Sequence, residues 1–181
     1  MPILSDSTYL AMRTLLTGLI VLLVGLFAPT AAAQPTGIGV GAQIAAANDG
    51  GPAPVGLSVK TWVNNRQAVT GATSFRFAEG DTGSPSFWIL EANYLFHNFE
   101  PLTVEEGALG LYVGPGVQLV ATEGADDVAF RGPIGVNYIF ETAPADLFIE
   151  VAPTLQVTDP SMLRFDGAIG FRYFFTRGEE R

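Results

Sequence analysis

From Ile38 onward the chain alternates apolar with small or polar residues at period two, and clusters of Gly, Pro, Asn and Asp interrupt it repeatedly. Ile38, Val40, Ala42 and Ile44 fall on one face of a first strand, with Gly39, Gly41 and Gln43 on the other. Val55, Leu57, Val59 and Val63 then oppose Gly56, Ser58 and Lys60. Val69, Thr73, Phe75 and Phe77 oppose Thr70, Ser74 and Arg76. A fourth strand sets Trp88, Leu90, Ala92, Tyr94 and Phe96 against Glu91 and Asn93. The fifth sets Leu111, Val113, Val117 and Leu119 against Tyr112, Gly114, Gly116 and Gln118. Phe130, Ile134, Val136, Tyr138 and Phe140 oppose Arg131, Gly135 and Asn137. Ile149, Val151, Leu155 and Val157 oppose Glu150, Thr154 and Gln156. An eighth strand sets Phe165, Ile169, Phe171, Tyr173 and Phe175 against Asp166, Gly170 and Arg172. Each run has about the length of a tilted membrane-crossing strand, roughly 9–11 residues.

Periodicity alone does not say which face looks inward; the charges decide. The strands so drawn hold seven charged residues, Lys60, Arg76, Glu91, Arg131, Glu150, Asp166 and Arg172, all on the polar face. Seven charges over eight strands are too few to solvate the outside of a soluble barrel, but they suit a small lumen where opposite signs pair. A basic residue on a lipid-facing surface would cost about 2–4 kcal/mol near the bilayer midplane. The pattern therefore predicts an all-β, eight-stranded antiparallel up-and-down transmembrane barrel with its polar face inward.

Aromatic residues on the apolar face fall at the strand ends. With the N-terminus on the periplasmic side, Phe77, Trp88, Phe130 and Phe165 form an outer band. Tyr94, Phe96, Tyr138, Phe140, Tyr173 and Phe175 form an inner one. Small lumen residues (Gly39, Gly41, Gly114, Gly116, Gly135, Ala152, Gly170) suggest free internal volume. Pro115, Pro133 and Pro153 lie inside three successive strands, where proline cannot donate to the ladder, which predicts bulges or missing bonds.

The N-terminus adds an export signal. Leu15 to Phe27 is apolar, preceded by Arg13 and followed by Ala31-Ala32-Ala33, so residues 1–33 read as a cleavable signal peptide, with Met12 an alternative start. The barrel then occupies 34–175 and a short polar tail 176–181. Cysteine is absent, which excludes a disulfide framework and thiolate metal sites. Charged residues make up 15% of the chain, against about 25% in typical soluble domains. The formal net charge of −9 is the wrong sign for nucleic-acid binding.

The segment Ala168-Ile169-Gly170-Phe171-Arg172-Tyr173-Phe174-Phe175 resembles the C-terminal sorting signal of bacterial outer-membrane barrels. That resemblance gives Gly170, Tyr173 and Phe175 the role of the assembly signal, read by the barrel-assembly machinery. It departs from the pattern in having Ala168 where a polar residue is usual and six residues after the terminal aromatic. Four further segments extend the likeness: Gly56 to Trp62, Asn93 to Phe99, Pro133 to Tyr138 and Gly167 to Phe175. With them the chain resembles the OmpA/OmpX type of small eight-stranded outer-membrane barrel. The resemblance identifies a scaffold rather than an activity.

Several function classes follow. The first is a structural or interaction protein of the outer membrane, its lumen filled by the charged network, since eight strands enclose an interior just wide enough for side chains. Its partners would be outer-membrane lipid and lipopolysaccharide, the assembly machinery, and an extracellular or periplasmic protein not identified by the sequence. Alternatives are a narrow channel for ions or small solutes and a soluble, secreted, lipocalin-like binding barrel. A lipid-modifying enzyme would need a nucleophile beside a base. The single histidine, His97, ends the fourth strand far from Ser84 and Ser86, and reads as an interfacial or lumen-end residue. The chain is thus expected to have neither catalytic activity nor a cofactor. The expected outer loops (48–54, 79–86, 123–128 and 158–164) are short and acidic, and carboxylates at such rims can hold divalent cations. The longest connection, Asn98 to Ala108, falls on the periplasmic side.

Overall fold

The computed structural model describes residues 37–46, 53–76, 86–102, 104–122, 125–158 and 161–175. The expected signal peptide, the C-terminal tail, Phe77 and most of the expected outer-loop residues lie outside them. The described chain forms ten strands: β1 (Ile38–Ala45), β2 (Val55–Trp62), β3 (Gln67–Arg76), β4 (Phe87–Asn98), β5 (Ala108–Val113), β6 (Gly116–Thr122), β7 (Ala125–Arg131), β8 (Ile134–Ile139), β9 (Ala145–Gln156) and β10 (Met162–Phe175). Every pairing is antiparallel. β5 and β6 both pair with β4, and β7 and β8 both pair with β9, so these four segments are the halves of two interrupted staves. β10 pairs with β1 on one side and β9 on the other, and the eight staves close.

The register fixes the barrel's proportions. Cross-strand partners lead from Arg172 through Gly41, Ser58, Ala72, Glu91, Gln118, Ala129 and Gln156 to Met162, back on β10. The circuit ends ten residues from where it began, at Met162 rather than Arg172. With ordinary strand spacing and rise, that stagger over eight staves tilts the strands by about 40° and gives a backbone radius of about 8 Å.

The prolines interrupt hydrogen bonding without disturbing register. Asn93↔Gly116 and Phe96↔Val113 lie on either side of Pro115 and keep one continuous alignment, as do the pairs flanking Pro133. No residue is inserted, so the bulges expected from the sequence do not occur; only bonds are lost. The carbonyls of Pro115, Pro133 and Pro153 accept from the amides of Tyr94, Gly114 and Gly132 at 2.9, 3.1 and 2.9 Å. A proline ring has no N–H to return the second bond of each pair. These half-pairs lie along one row that slants with the strand tilt from Tyr94 towards Phe165, the registered partner of Pro153.

Burial is inverted relative to a water-soluble fold. The outward residues Ile38, Leu57, Leu90, Ile134, Ile149, Val151 and Phe165 are 48–61% exposed, whereas Lys60, Asp146 and His97 are fully buried. The packed interior is the lumen. Contrary to the expectation above, its glycines do not stand beside open space: aromatic rings take it at Gly39, Gly135 and Gly170, and partner-strand backbone at Gly41 and Gly114. A Cβ at Gly39 would lie 2.7 Å from Phe174, at Gly135 2.4 Å from Tyr112, and at Gly170 2.5 Å from Phe148. Gly116 is likewise filled by the Asn93 side-chain amide at 2.0 Å.

Candidate functional site

Alternation along β2, β9 and β10 carries Lys60, Asp146 and Arg172 into one end of the lumen. Asp146 accepts from Lys60 Nζ at 3.2 Å and from Arg172 Nε and Nη2 at 2.8 and 3.3 Å. Lys60 also meets His97 Nε2 at 3.1 Å and lies 4.1 Å from the centre of the Trp62 ring. Arg172 lies 4.0 Å from the centre of the Phe148 ring. Around His97 stand Trp62, Phe99 and Tyr112, with ring centroids 4.5, 6.0 and 5.2 Å away. Of the two places expected for His97, an interface or the lumen end, it takes the second: it is fully buried in this cluster at one end of the lumen. Phe99 leaves the end of β4 and turns inward, where it takes the space beside Gly110.

A second tier centres on Arg131. Its guanidinium pairs with Glu91 and, at 2.7 Å, with Glu150. The Tyr112 hydroxyl donates to Glu150 at 2.8 Å, which joins this tier to the aromatic cluster. Gln118 donates to both Glu91 (2.9 Å) and Asp166 (3.1 Å). A third tier lies at the far end of the lumen, where Asp166 accepts from Thr154 at 2.8 Å and from Arg164 at 3.1 Å. Arg164 also reaches Gln118 and Gln156. Asp127 accepts from Gln156 at 2.9 Å and Thr158 at 2.6 Å. Of the seven charges drawn from the sequence, Lys60 and Arg172 meet in the first tier and Arg131, Glu91, Glu150 and Asp166 in the other two. Arg76 is also buried, with its guanidinium 4.4 Å from the centre of the Phe87 ring.

The count of seven strand charges needs correcting. Asp126, Asp127, Asp146 and Arg164 also lie within strands. Asp146 follows Ala143-Pro144-Ala145 and reads as a turn residue, although it is the only carboxylate shared by Lys60 and Arg172 among the described residues. The missed signal was parity: Asp146, Phe148, Glu150, Ala152 and Thr154 share one face of β9. Asp127 and Arg164 fall in the expected outer loops 123–128 and 158–164, but β7 and β10 continue into them towards the rim. Asp126 lies on the outward face near the end of β7 and is exposed, the one strand charge off the polar face.

Beside the third tier is a cavity of about 300 Å³. Phe87, Ile89, Val120 and Pro54 form its apolar wall, and Glu91, Gln118, Arg131, Asp166, Arg164 and Asp127 its polar side. On the outer surface Trp88, Phe130 and Phe165 are 56–61% exposed at one end of their staves. At the opposite end Tyr94–Phe96, Tyr138–Phe140 and Tyr173–Phe175 form three edge-on ring pairs with centroids 5.2, 4.9 and 5.3 Å apart. Gly170, Tyr173 and Phe175 all lie in β10, the closing strand, and Tyr173 and Phe175 pair with Val40 and Ile38 of β1.

No protein-family model matches this chain, and no curated protein is similar to it. Among solved structures it is similar to the crystal structure of Ail, the attachment invasion locus protein of Yersinia pestis. The two share 17% identity over 76% of this chain and 96% of that one, with a TM-score of 0.40. The chain's own register closes the barrel, and its burial turns the polar face inward.

Proposed function

We propose that this chain is a bacterial outer-membrane barrel with a side-chain-filled lumen, acting as a structural or interaction protein without catalytic chemistry. One observation carries the reading: the outward face is apolar and exposed along all eight staves while the paired charges are enclosed. In water that arrangement would expose far more contiguous apolar surface than a soluble protein carries; in a bilayer it satisfies both faces and leaves no open sheet edge. The ring pairs at one end and Trp88, Phe130 and Phe165 at the other are the aromatic bands that belong at two membrane–water boundaries. β10, with Gly170, Tyr173 and Phe175, is the strand the assembly machinery would read. The same inversion argues against a lipocalin-like soluble barrel, whose apolar face would line the interior.

The filled lumen favours a plug over a channel. Asp146 ties β2 to β9 and β10, Arg131 ties β4 to β9, and rings fill the space beside Gly39, Gly135 and Gly170. Partners would be lipopolysaccharide and outer-membrane lipid around the wall, with a protein partner at either rim. The test is single-channel recording of the purified chain in planar bilayers, beside an Arg76→Ala/Arg131→Ala double variant. Insertion without steady conductance, with openings in the variant, supports the plug. Steady ion-selective openings in the unaltered chain would replace it with the channel reading, and failure to insert in any lipid would end the membrane reading.

A further inference from the structure

The cavity beside the third tier joins an apolar wall to a carboxylate that has no salt bridge among the described residues. Ile89, Val120 and Asp127 are consecutive cross-strand partners on β4, β6 and β7, so one row across the lumen wall reads apolar, apolar, acidic. All three line the cavity, with Phe87 beside them. The arginines on the polar side are occupied: Arg131 by Glu91 and Glu150, Arg164 by Asp166, Gln118 and Gln156. Asp127 differs. Its hydrogen bonds come from the neutral Gln156 and Thr158, both to Oδ1, and among the described residues no salt bridge involves it. A half-buried carboxylate held only by neutral donors keeps much of its charge uncompensated, and a low-dielectric wall strengthens its attraction for any cation brought close. Ligand sites commonly combine such a concave apolar lining with few oriented polar groups.

We propose that this cavity binds a small organic cation, an ammonium or guanidinium on an apolar body, with the cationic group at Asp127 and the body against Val120, Ile89 and Phe87. A metal ion would leave the apolar wall unused. An anion would meet Asp127, Glu91 and Asp166 with both lining arginines already paired. The inference depends on lumen geometry and not on membrane placement, so it can fail while the outer-membrane reading stands, and the reverse.

The test is an NMR titration of the refolded full chain in detergent micelles with 2-phenylethylammonium, using 2-phenylethanol as the neutral analogue. The expected result is saturable shifts in the Ile89 methyl and the Val120 and Asp127 amides. Asp127→Asn should weaken the ammonium by about tenfold, the scale of one hydrogen bond to a charged group, and leave the alcohol unchanged. Ile89→Trp, which fills the cavity without touching the carboxylate, should abolish both sets of shifts, and it carries the test if the Asn variant does not fold. Equal affinity for ammonium and alcohol would overturn the choice of a cation. Shifts that never saturate, or that survive Ile89→Trp, would overturn the site.

Discussion

Gly170 and Phe148 are direct cross-strand partners on β10 and β9, and the Phe148 ring occupies the place where a Cβ at Gly170 would sit, 2.5 Å away. The glycine is there because the ring is. The Ala42 carbonyl of β1 lies 2.6 Å from the same point, so backbone bounds the site on the other side. Gly170→Ala should cost about 1–3 kcal/mol, the usual scale of overpacking. Urea unfolding of the vesicle-reconstituted chain measures it. Adding Phe148→Leu should recover part of the loss and no more, since the Ala42 carbonyl stays; full additivity of the two changes would show that ring and glycine are not coupled.

Asp146 and Lys60 should respond unequally to substitution. Asp146→Asn leaves Lys60 and Arg172 enclosed without their shared carboxylate, and removing one partner of a buried ion pair costs about 3–5 kcal/mol. Lys60→Met leaves Asp146 with both of its contacts from Arg172, so its cost should be smaller. Trp62, against which Lys60 packs, supplies a fluorescence reporter for both unfolding curves. A larger loss for Lys60→Met would show that the lysine, with His97 and Trp62, holds this end of the lumen, and that the carboxylate does not.

The half-made pair at Pro115 offers a gain rather than a loss. Pro115→Val restores an N–H facing the Tyr94 carbonyl, in a stave whose register already continues through that point. A net hydrogen bond is worth about 0.5–1.5 kcal/mol. Releasing the proline's restriction on the unfolded chain gives back about 0.4–1 kcal/mol. An unsatisfied carbonyl is more costly in lipid than in water, so the balance should be stabilising in vesicles. Hydrogen exchange at the new amide provides the direct check: slow exchange means the bond has formed, and fast exchange means the row is held open by something other than the missing donor.

Much of the fold was written in the alternation. Period two placed Lys60, Glu91, Arg131, Glu150, Asp166 and Arg172 on one face, and the lack of charge opposite them oriented that face inward. What escaped was whatever depends on the partner strand. Asp146 is the ligand of two cations only because the register sets β9 beside β10, with Arg172 directly across from it. The lumen glycines read as empty space because a sequence does not show what the partner strand sets against them, a ring at Gly39, Gly135 and Gly170. A strand end leaves His97 interfacial or at the lumen end, and what decides for the lumen, the Phe99 ring turned back against it, depends on the neighbouring strands. Continuous register through Pro115 and Pro133 could not be foreseen either, because a bulge and a missing bond leave the same mark in a sequence.

Ile149 separates a wall that faces lipid from one that faces water. It is 56% exposed in the middle of β9, and its registered neighbours Val136 and Ile169 are as apolar as itself. In a bilayer, Ile149→Arg places a guanidinium near the midplane at a cost of about 2–4 kcal/mol. Leu163→Arg, on the outward face near the start of β10 and 61% exposed, should cost about 0–1 kcal/mol, because the penalty falls towards the interface. Were the wall in water, both substitutions would sit on already exposed positions and change stability by no more than about 0.5 kcal/mol. Urea titrations in phosphatidylcholine vesicles give the two values under one condition. A cost at Ile149 well above that at Leu163 is the depth dependence only a membrane produces; equal, negligible costs would place the wall in water.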